Sequence, residues 1–427
     1  MTTTEPDLLA RRERLLGPNT PLFYTDPVHI VRGEGVWLWD ADGRRYLDCY
    51  NNVAHVGHCH PAVVEAMMRQ AAMLNTHTRY LHEGILDYVE KLTATFDASL
   101  ATAILTCTAS EANDIALRMA QVVTGRSGVI ATAHTYHGNT AAVSQLTAQT
   151  EPIGGRGGHV RFIPAPDSYR PLGEMDGIPF EEAFARAVEA AIADLIATGH
   201  GISALIIDPF FSNEGFPDLP HGFLTKAIRA VREAGGIVIA DEVQPGFGRT
   251  GRMWGHELAG FVPDIVTLGK PMGNGHPVGG VVTTRDILSA FRKKVRYFNT
   301  FGGNPVSCAA ASAVLDVIER ERLIENAARV GTYANRRLQD LAGRHSLIGD
   351  VRGTGLFFGC ELVTDRPSRA PAPDLATKIV DGLREEGVLI GRLGIHGNVT
   401  KMRPPMPFSI ENADLLIDIL DRVLGRV

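Results

Sequence analysis

Short unbroken apolar runs recur along the middle of the chain: Ala103 to Thr106, Val129 to Thr132, Ser203 to Ile207, Ile237 to Ala240 and Ile265 to Leu268. Each is too short for a helix and rich in β-branched residues, the composition of a strand buried on both faces of a parallel sheet. Helical periods lie between them, most plainly over Glu181 to Thr198, and from Ser110 to about Val123. This strand–helix alternation predicts an α/β doubly wound sheet, and no internal repeat or coiled coil competes with it. Before that region, residues 1 to about 35 read as a polar helix and a Pro-interrupted entry. Gly35 to Asp40 and Arg45 to Asp48, joined through Asp42-Gly43, then read as a hairpin. Pro61 opens a helix whose Val63, Val64, Met67, Met68 and Ala71 are expected on a buried face. From about Leu323 the pattern becomes helix-rich and then mixed, with Gly355 to Gly359 as a strand. The expected division is residues 1–60 contributing to a small domain, 61–322 a large domain, and 323–427 a C-terminal small domain.

Two of the apolar runs deliver a charged residue to an abrupt stop. Ile237 to Ala240 ends at Asp241, and Asp264 to Leu268 ends at Gly269-Lys270-Pro271. Ligands of open α/β sheets bind at the carboxyl ends of strands, so Asp241 and Lys270 are expected to face one crevice. They could be a buried ion pair, a weak stabilising device. They could equally be a pyridoxal phosphate site, with Lys270 forming the Schiff base and Asp241 keeping the pyridine nitrogen protonated. Upstream, Ala103 to Thr106 runs into Cys107-Thr108-Ala109-Ser110-Glu111 and a helix. Small residues at such a turn expose the first helical N–H groups, which makes Thr108, Ala109 and Ser110 a phosphate seat, with Ser110 as a candidate N-cap.

Other motifs carry less. His58-Cys59-His60 has no recurring fourth ligand, and no metal site is expected. Gly154 to Gly158 lacks the lysine and helix of a phosphate loop and reads as surface. Thr76 to His82 gathers polar and cationic side chains and is either a substrate loop or a solvated connection.

The bulk properties narrow the partners. The chain has 427 residues, 44% of them apolar, and a net charge of -6 with scattered Lys and Arg, so neither nucleic acid nor an anionic membrane is an expected partner. No apolar stretch approaches the roughly 20 residues of a membrane helix. The N-terminus lacks a basic start followed by an apolar core, so no secretory signal is expected. Five cysteines without a CxxC pair fit free thiols, and the expected compartment is cytoplasmic.

Ala240-Asp241-Glu242-Val243-Gln244, Gly246-Phe247-Gly248-Arg249-Thr250-Gly251, Gly269-Lys270 and Asn299-Thr300-Phe301-Gly302-Gly303-Asn304-Pro305 together resemble the class III aminotransferase family of pyridoxal phosphate enzymes, from about Trp37 to Leu424. The resemblance implies a fold type I transferase, with a mostly parallel seven-stranded sheet in the large domain and a smaller α+β domain from both termini. It implies that Tyr136 stacks on the cofactor, that His137 also lines its site, and that Gln244 bonds the phenolic oxygen. Thr300 would reach the cofactor phosphate of a neighbouring subunit, which implies a homodimer and leaves a tetramer open. The family's Ser-Gly at the phosphate turn reads Thr108-Ala109 here. Backbone donation survives that change if the turn needs no positive φ.

Two departures bear on the reaction. Many transaminases of the family grip a substrate carboxylate with an arginine three residues before a Pro-Pro pair; counting back from Pro404-Pro405 gives Lys401. The glutamate that shields that arginine aligns near Asn213. A lysine cannot make the bidentate contact, and losing one charge-assisted bond forfeits roughly 1.5–3 kcal/mol. The Asn51 to Pro61, Gly269 to Pro277 and Lys401 to Met406 stretches look closest to the ethanolamine-phosphate phospho-lyase branch. That similarity implies β-elimination from a small phosphorylated amine, giving acetaldehyde, ammonia and phosphate. The candidate donors for the leaving phosphate are Arg79, His77, His55, Lys401 and Arg403, with Asn51 as a neutral one. Alternatives are an ω-aminotransferase of amine or alanine–glyoxylate type, a 5-phosphohydroxylysine phospho-lyase, and a cofactor-free Rossmann-like binding module. The last lacks the glycine fingerprint of a dinucleotide site.

Overall fold

The computed structural model describes residues 7–427, so residues 1–6 of the polar N-terminal segment lie outside the described residues. Helix α1 (Leu8–Leu16) is capped by the Asp7 carboxylate. It leads into β1 (Ile30–Glu34), β2 (Trp37–Asp40) and β3 (Arg45–Asp48). Helices α2 (Pro61–Met73) and α3 (Glu83–Thr93) follow, and then the large sheet begins. In chain order it holds β4 (Thr102–Thr106), α4 (Ala109–Thr124), β5 (Gly128–Thr132), β6 (Val160–Ile163), α5 (Phe180–Ala197), β7 (Ile202–Ile207) and α6 (Thr225–Glu233). It continues through β8 (Ile237–Asp241), α7 (Gly255–Ala259), β9 (Ile265–Leu268), β10 (Gly279–Thr283) and α8 (Arg285–Lys294). Helices α9 (Pro305–Arg320) and α10 (Leu323–Arg344) lead to β11 (Ile348–Thr354), β12 (Phe357–Leu362) and α11 (Pro373–Glu385). The chain ends with β13 (Val388–Leu389), β14 (Gly391–Leu393), β15 (Val399–Lys401) and α12 (Ile410–Leu424).

The large sheet has seven strands in the order β4-β10-β9-β8-β7-β5-β6. Neighbours from β9 to β6 run parallel, while β10 is antiparallel to both β4 and β9. Side chains alternate across it as a pleat demands. Ala204 and Ile206 pack on the α4 side with Ile115 and Met119, and Leu205 and Ile207 pack on the α5 and α6 side with Phe184 and Val231. Both faces are covered, which is why these runs are apolar throughout. The register sets Ile207 opposite Ala240 and Asp241 opposite Thr267, so the carboxyl ends of β7, β8 and β9 finish at one level. Two smaller sheets flank this one. In β1-β2-β3-β13 the last strand pairs parallel to β3, joining residues from the two ends of the chain, and β11-β12-β15-β14 is antiparallel.

Three expectations change. Ile30–Glu34, read as part of an irregular entry, is a strand, because the paired β2 supplies its hydrogen-bond partners. Gly355 and Leu356 form the turn before β12 instead of the strand itself, with Gly355 at φ 58. On α2 only Val63 is buried, while Val64 is 40% and Met68 67% exposed. The helix rests on α9 by a narrower face than its apolar stripe, and the remainder stays uncovered within one chain.

Candidate active site

A cavity of about 320 Å³ opens at the carboxyl ends of the central strands. Each wall is built from a local signal in the sequence. At the end of β4, Thr108 is the N-cap of α4: its hydroxyl accepts from Glu111 N at 3.2 Å, and the Glu111 carboxylate accepts from Thr108 N at 2.9 Å. The cap is therefore Thr108 and not Ser110, because the capping box needs the carboxylate at the third helical position. No residue from Cys107 to Ser110 has positive φ, so Ala109 replaces glycine without strain. Ala109 and Ser110 border the cavity at the helix start, where backbone N–H groups lack helical acceptors. Two glycines let neighbouring segments close on this turn. A Cβ at Gly138 would meet Ser110 Oγ at 2.4 Å, and one at Gly269 would meet Ala109 Cβ at 2.7 Å.

Asp241 ends β8 with its carboxylate already oriented. Oδ2 accepts from His137 Nδ1 at 2.7 Å and from Asn113 Nδ2 at 3.0 Å, and Oδ1 accepts from Val243 N at 3.1 Å. Lys270 follows β9 at the first position of a one-turn 3₁₀ segment, Lys270–Gly273. Its side chain is exposed within the cavity that it lines. Burial, then Arg403, pull the amine down to about 8, against the opposing pull of Asp241 and Asp208. Tyr136 lies on the cavity wall, 44% exposed, so it is not a core tyrosine.

Gln244 joins the two positions at which the sequence departs from the family pattern. Its Oε1 accepts from Lys401 Nζ at 3.1 Å and from Arg403 Nη1, while its Nε2 donates to Asn213 Oδ1 at 3.2 Å. Two cations on one oxygen fix which end of the amide is which. Burial lowers the Lys401 amine well below its ordinary value, and it brings Arg403 down to about 10.

The other expected residues are dispersed. His55 is wholly buried, with Nε2 2.6 Å from Phe247 O and Nδ1 3.1 Å from Arg249 Nη2. Burial and Arg249 push its pKa well down, so it is a neutral packing residue and not a phosphate cation. His77 stacks on Tyr80, Arg79 lies 3.9 Å above the Phe298 ring, and Thr300 is exposed; these three and Asn51 do not border this chain's cavity. His58 bonds Asp48 at 2.6 Å and His60 caps α2. Sequence reasoning passed over Asp208, a buried cavity carboxyl at the end of β7, although the strand-end signal that picks out Asp241 applies to it equally. It also missed Asn113, whose role depends on a bond spanning 128 positions.

A helix start for a phosphate, a braced carboxylate for a ring nitrogen, a lysine amine and a wall tyrosine form a donor set that fits pyridoxal phosphate. Comparison with known proteins agrees with that chemistry. The family described as aminotransferase class-III matches residues 23–424. An alanine–glyoxylate aminotransferase 2-like protein of Drosophila melanogaster is 42% identical over 423 residues, covering 96% of this chain and 85% of that protein. Ethanolamine-phosphate phospho-lyase homolog 1 of Caenorhabditis elegans is 36% identical over 438 residues, covering 99% and 94%. Among solved structures, a phospholyase from Arthrobacter in complex with phosphoethanolamine is 47% identical with a TM-score of 0.95, covering 99% of this chain and 100% of that one.

The glycine contact yields a test of the phosphate seat. Gly138→Ala places a Cβ against Ser110 and at a φ of 138 that L residues rarely adopt. The variant should bind pyridoxal phosphate at least about tenfold more weakly, a loss of about 1.4 kcal/mol, read from cofactor titration by absorbance. Unchanged affinity would mean that the Ser110 turn does not hold the phosphate.

Proposed function

Because the chain belongs to the class-III aminotransferase family of pyridoxal phosphate enzymes, we propose that it is a phospho-lyase that converts ethanolamine phosphate to acetaldehyde, ammonia and inorganic phosphate. The observation that carries this reading is the Gln244 cluster. Lys401 and Asn213 stand where transaminases of the family keep an arginine and a glutamate, and both are tied to Gln244. A site without a bidentate carboxylate fork suits an amine substrate that has no carboxylate. The similarity to an Arthrobacter phospholyase in complex with phosphoethanolamine supports the same choice.

When bound, the cofactor supplies an electron-accepting ring. Asp241, braced by His137 and Asn113, holds a proton at the ring nitrogen. The Lys270 amine, lowered to about 8 mainly by burial, removes a proton from the carbon that bears the substrate nitrogen. The C–H electron pair forms the new carbon–carbon double bond, and phosphate departs from the adjacent carbon with the electrons of its C–O bond. Water then converts the two-carbon enamine to acetaldehyde and ammonia. Arg403, at about 10 still charged at neutral pH, places positive charge beside Gln244, and the Lys401 amine adds a donor there for the departing anion. In this reading the protein is a homodimer in which Thr300, with His77 and Arg79 nearby, completes the neighbouring subunit's site. The exposure of Met68, Leu81 and Phe301 supports a covered face. Its five free cysteines suit the cytoplasm, and no helix among the described residues is long and apolar enough to cross a membrane.

The decisive experiment supplies the cofactor-loaded protein with phosphoethanolamine and no keto acid. Phosphate and acetaldehyde should appear together over many turnovers. A single turnover that leaves phosphate on carbon, with glyoxylate then restoring activity, would instead favour the aminotransferase reading suggested by the Drosophila relative's name. The double substitution Lys401→Arg with Asn213→Glu should rebuild a carboxylate grip and tighten binding of an amino acid or keto acid at least about tenfold, measured by titration of the cofactor spectrum. Sedimentation should give twice the chain mass, and a monomer of full activity would remove Thr300 from the site.

A further inference from the structure

One cavity carboxyl has no part in holding the cofactor or the substrate phosphate. Asp208 follows Ile207, which pairs with Ala240, so it stands beside Asp241 at the cavity edge. The other buried carboxylates of this corner are committed to side-chain donors: Asp241 to His137 and Asn113, and Glu214 to Thr132 Oγ1 at 2.5 Å. Asp208 accepts from the backbone N–H groups of Phe210 at 2.9 Å and Ser212 at 3.2 Å. Among the described residues it has no Lys, Arg or His at ion-pair distance.

Its surroundings make it a group that gains and loses a proton near neutrality. Burial first, then the charges of Glu214 and Asp241, push its pKa up to about 7. Facing it are Glu214 and Ser212 from its own loop, Asp241 from β8, Lys270 after β9, and Lys401 and Arg403 from β15 and the residue run beyond it. Behind these stand His137 and Thr135, which act on Glu214, and Tyr50 and Asp48, which act on Arg403. Lys270, at about 8, feels Asp208 as a charge that favours its protonated form. Both side chains border the same cavity, so the charge on the carboxyl bears on the proton affinity of the amine. Ionised Asp208 keeps the proton on Lys270, and protonated Asp208 frees the amine to act as a base.

We propose that Asp208 is the positioning residue of the Lys270 base: by taking up or releasing a proton at the cavity edge, it sets how tightly the lysine nitrogen holds its own. This goes beyond the phospho-lyase reading and requires only that Lys270 be the cofactor's lysine, so failure to release phosphate from phosphoethanolamine would leave it standing.

The test uses cofactor-loaded protein and two readouts other than turnover. Visible absorbance, titrated with pH, reports the proton on the lysine nitrogen. Asp208→Asn should lower that midpoint by about one unit, the small end of the effect of a nearby opposite charge. Thermal stability supplies the second readout. The folded-state pKa of Asp208 lies above its ordinary value of 3.8, so ionising it costs stability as pH rises toward about 7. The melting temperature of Asp208→Asn relative to the parent should therefore rise between pH 5 and pH 8. An unchanged spectral midpoint, or an equal loss of stability at both pH values, would reduce Asp208 to a turn residue and overturn the proposal. If Asp208→Asn does not fold, Glu214→Gln replaces it. Removing that neighbouring anion lets Asp208 ionise at lower pH and should move the midpoint up, and no movement overturns the proposal as well.

Discussion

Charge brought to the carboxyl ends of adjacent parallel strands is the constraint on which the site depends. The β7–β8–β9 register finishes the strands at one level, and the chain leaves each with a polar residue: Asp208, Asp241 and, two residues past β9, Lys270. Helices cover both faces of the sheet, so these groups depend on the cavity and on donors the protein itself supplies. An isolated charge in such a place is expensive. The fold meets the expense in different ways. Asp241 is given donors from His137 and Asn113, whereas Lys270 and Asp208 are left to shift toward their neutral forms. A fixed charge and two adjustable ones are what proton removal next to a bound ring requires.

The same economy governs the cluster around Gln244. Lys401 and Arg403 are basic groups in a buried setting, both near the Lys270 amine, and burial lowers the proton affinity of each. They converge on one amide oxygen, which turns the amide nitrogen toward Asn213. A glutamate at position 213 would instead have drawn an arginine into a fork, the arrangement suited to alternating between a carboxylate substrate and its absence. With asparagine and lysine there is no such alternation to make. The site is left with basic groups and neutral donors, which is the environment that the proposed phospho-lyase reaction calls for.

Much of this was legible in the sequence. The buried strands, the turn into α4, and the placing of Asp241 and Lys270 at strand ends follow from local features: apolar runs of strand length, small residues before a helical period, and charged residues where a run stops. These signals need only neighbours in the chain, although the cap, expected at Ser110, falls at Thr108, where Glu111 closes the capping box. The departures at Lys401 and Asn213 were also visible, because they are read against a pattern of residue types.

Tertiary structure decided what burial and distant partners control. His55 looks like a free cation in the sequence, but it is neutral because Phe247 and Arg249 enclose it from more than 190 positions away. The apolar stripe of α2 promised core, yet the helix seats only Val63 fully, since α9 covers part of the stripe. Arg79, His77 and Thr300 lie outside the cavity of their own chain, a matter of which face a loop turns outward. Whether Asp208 is an ordinary carboxylate or a titrating one depends on the company of Glu214 and Asp241, brought to it by strand pairing and loop closure. The sequence by itself determined which chemical groups stand at the strand ends; the packed structure determined their charge, because a buried group's proton affinity is set by neighbours that only the fold brings together.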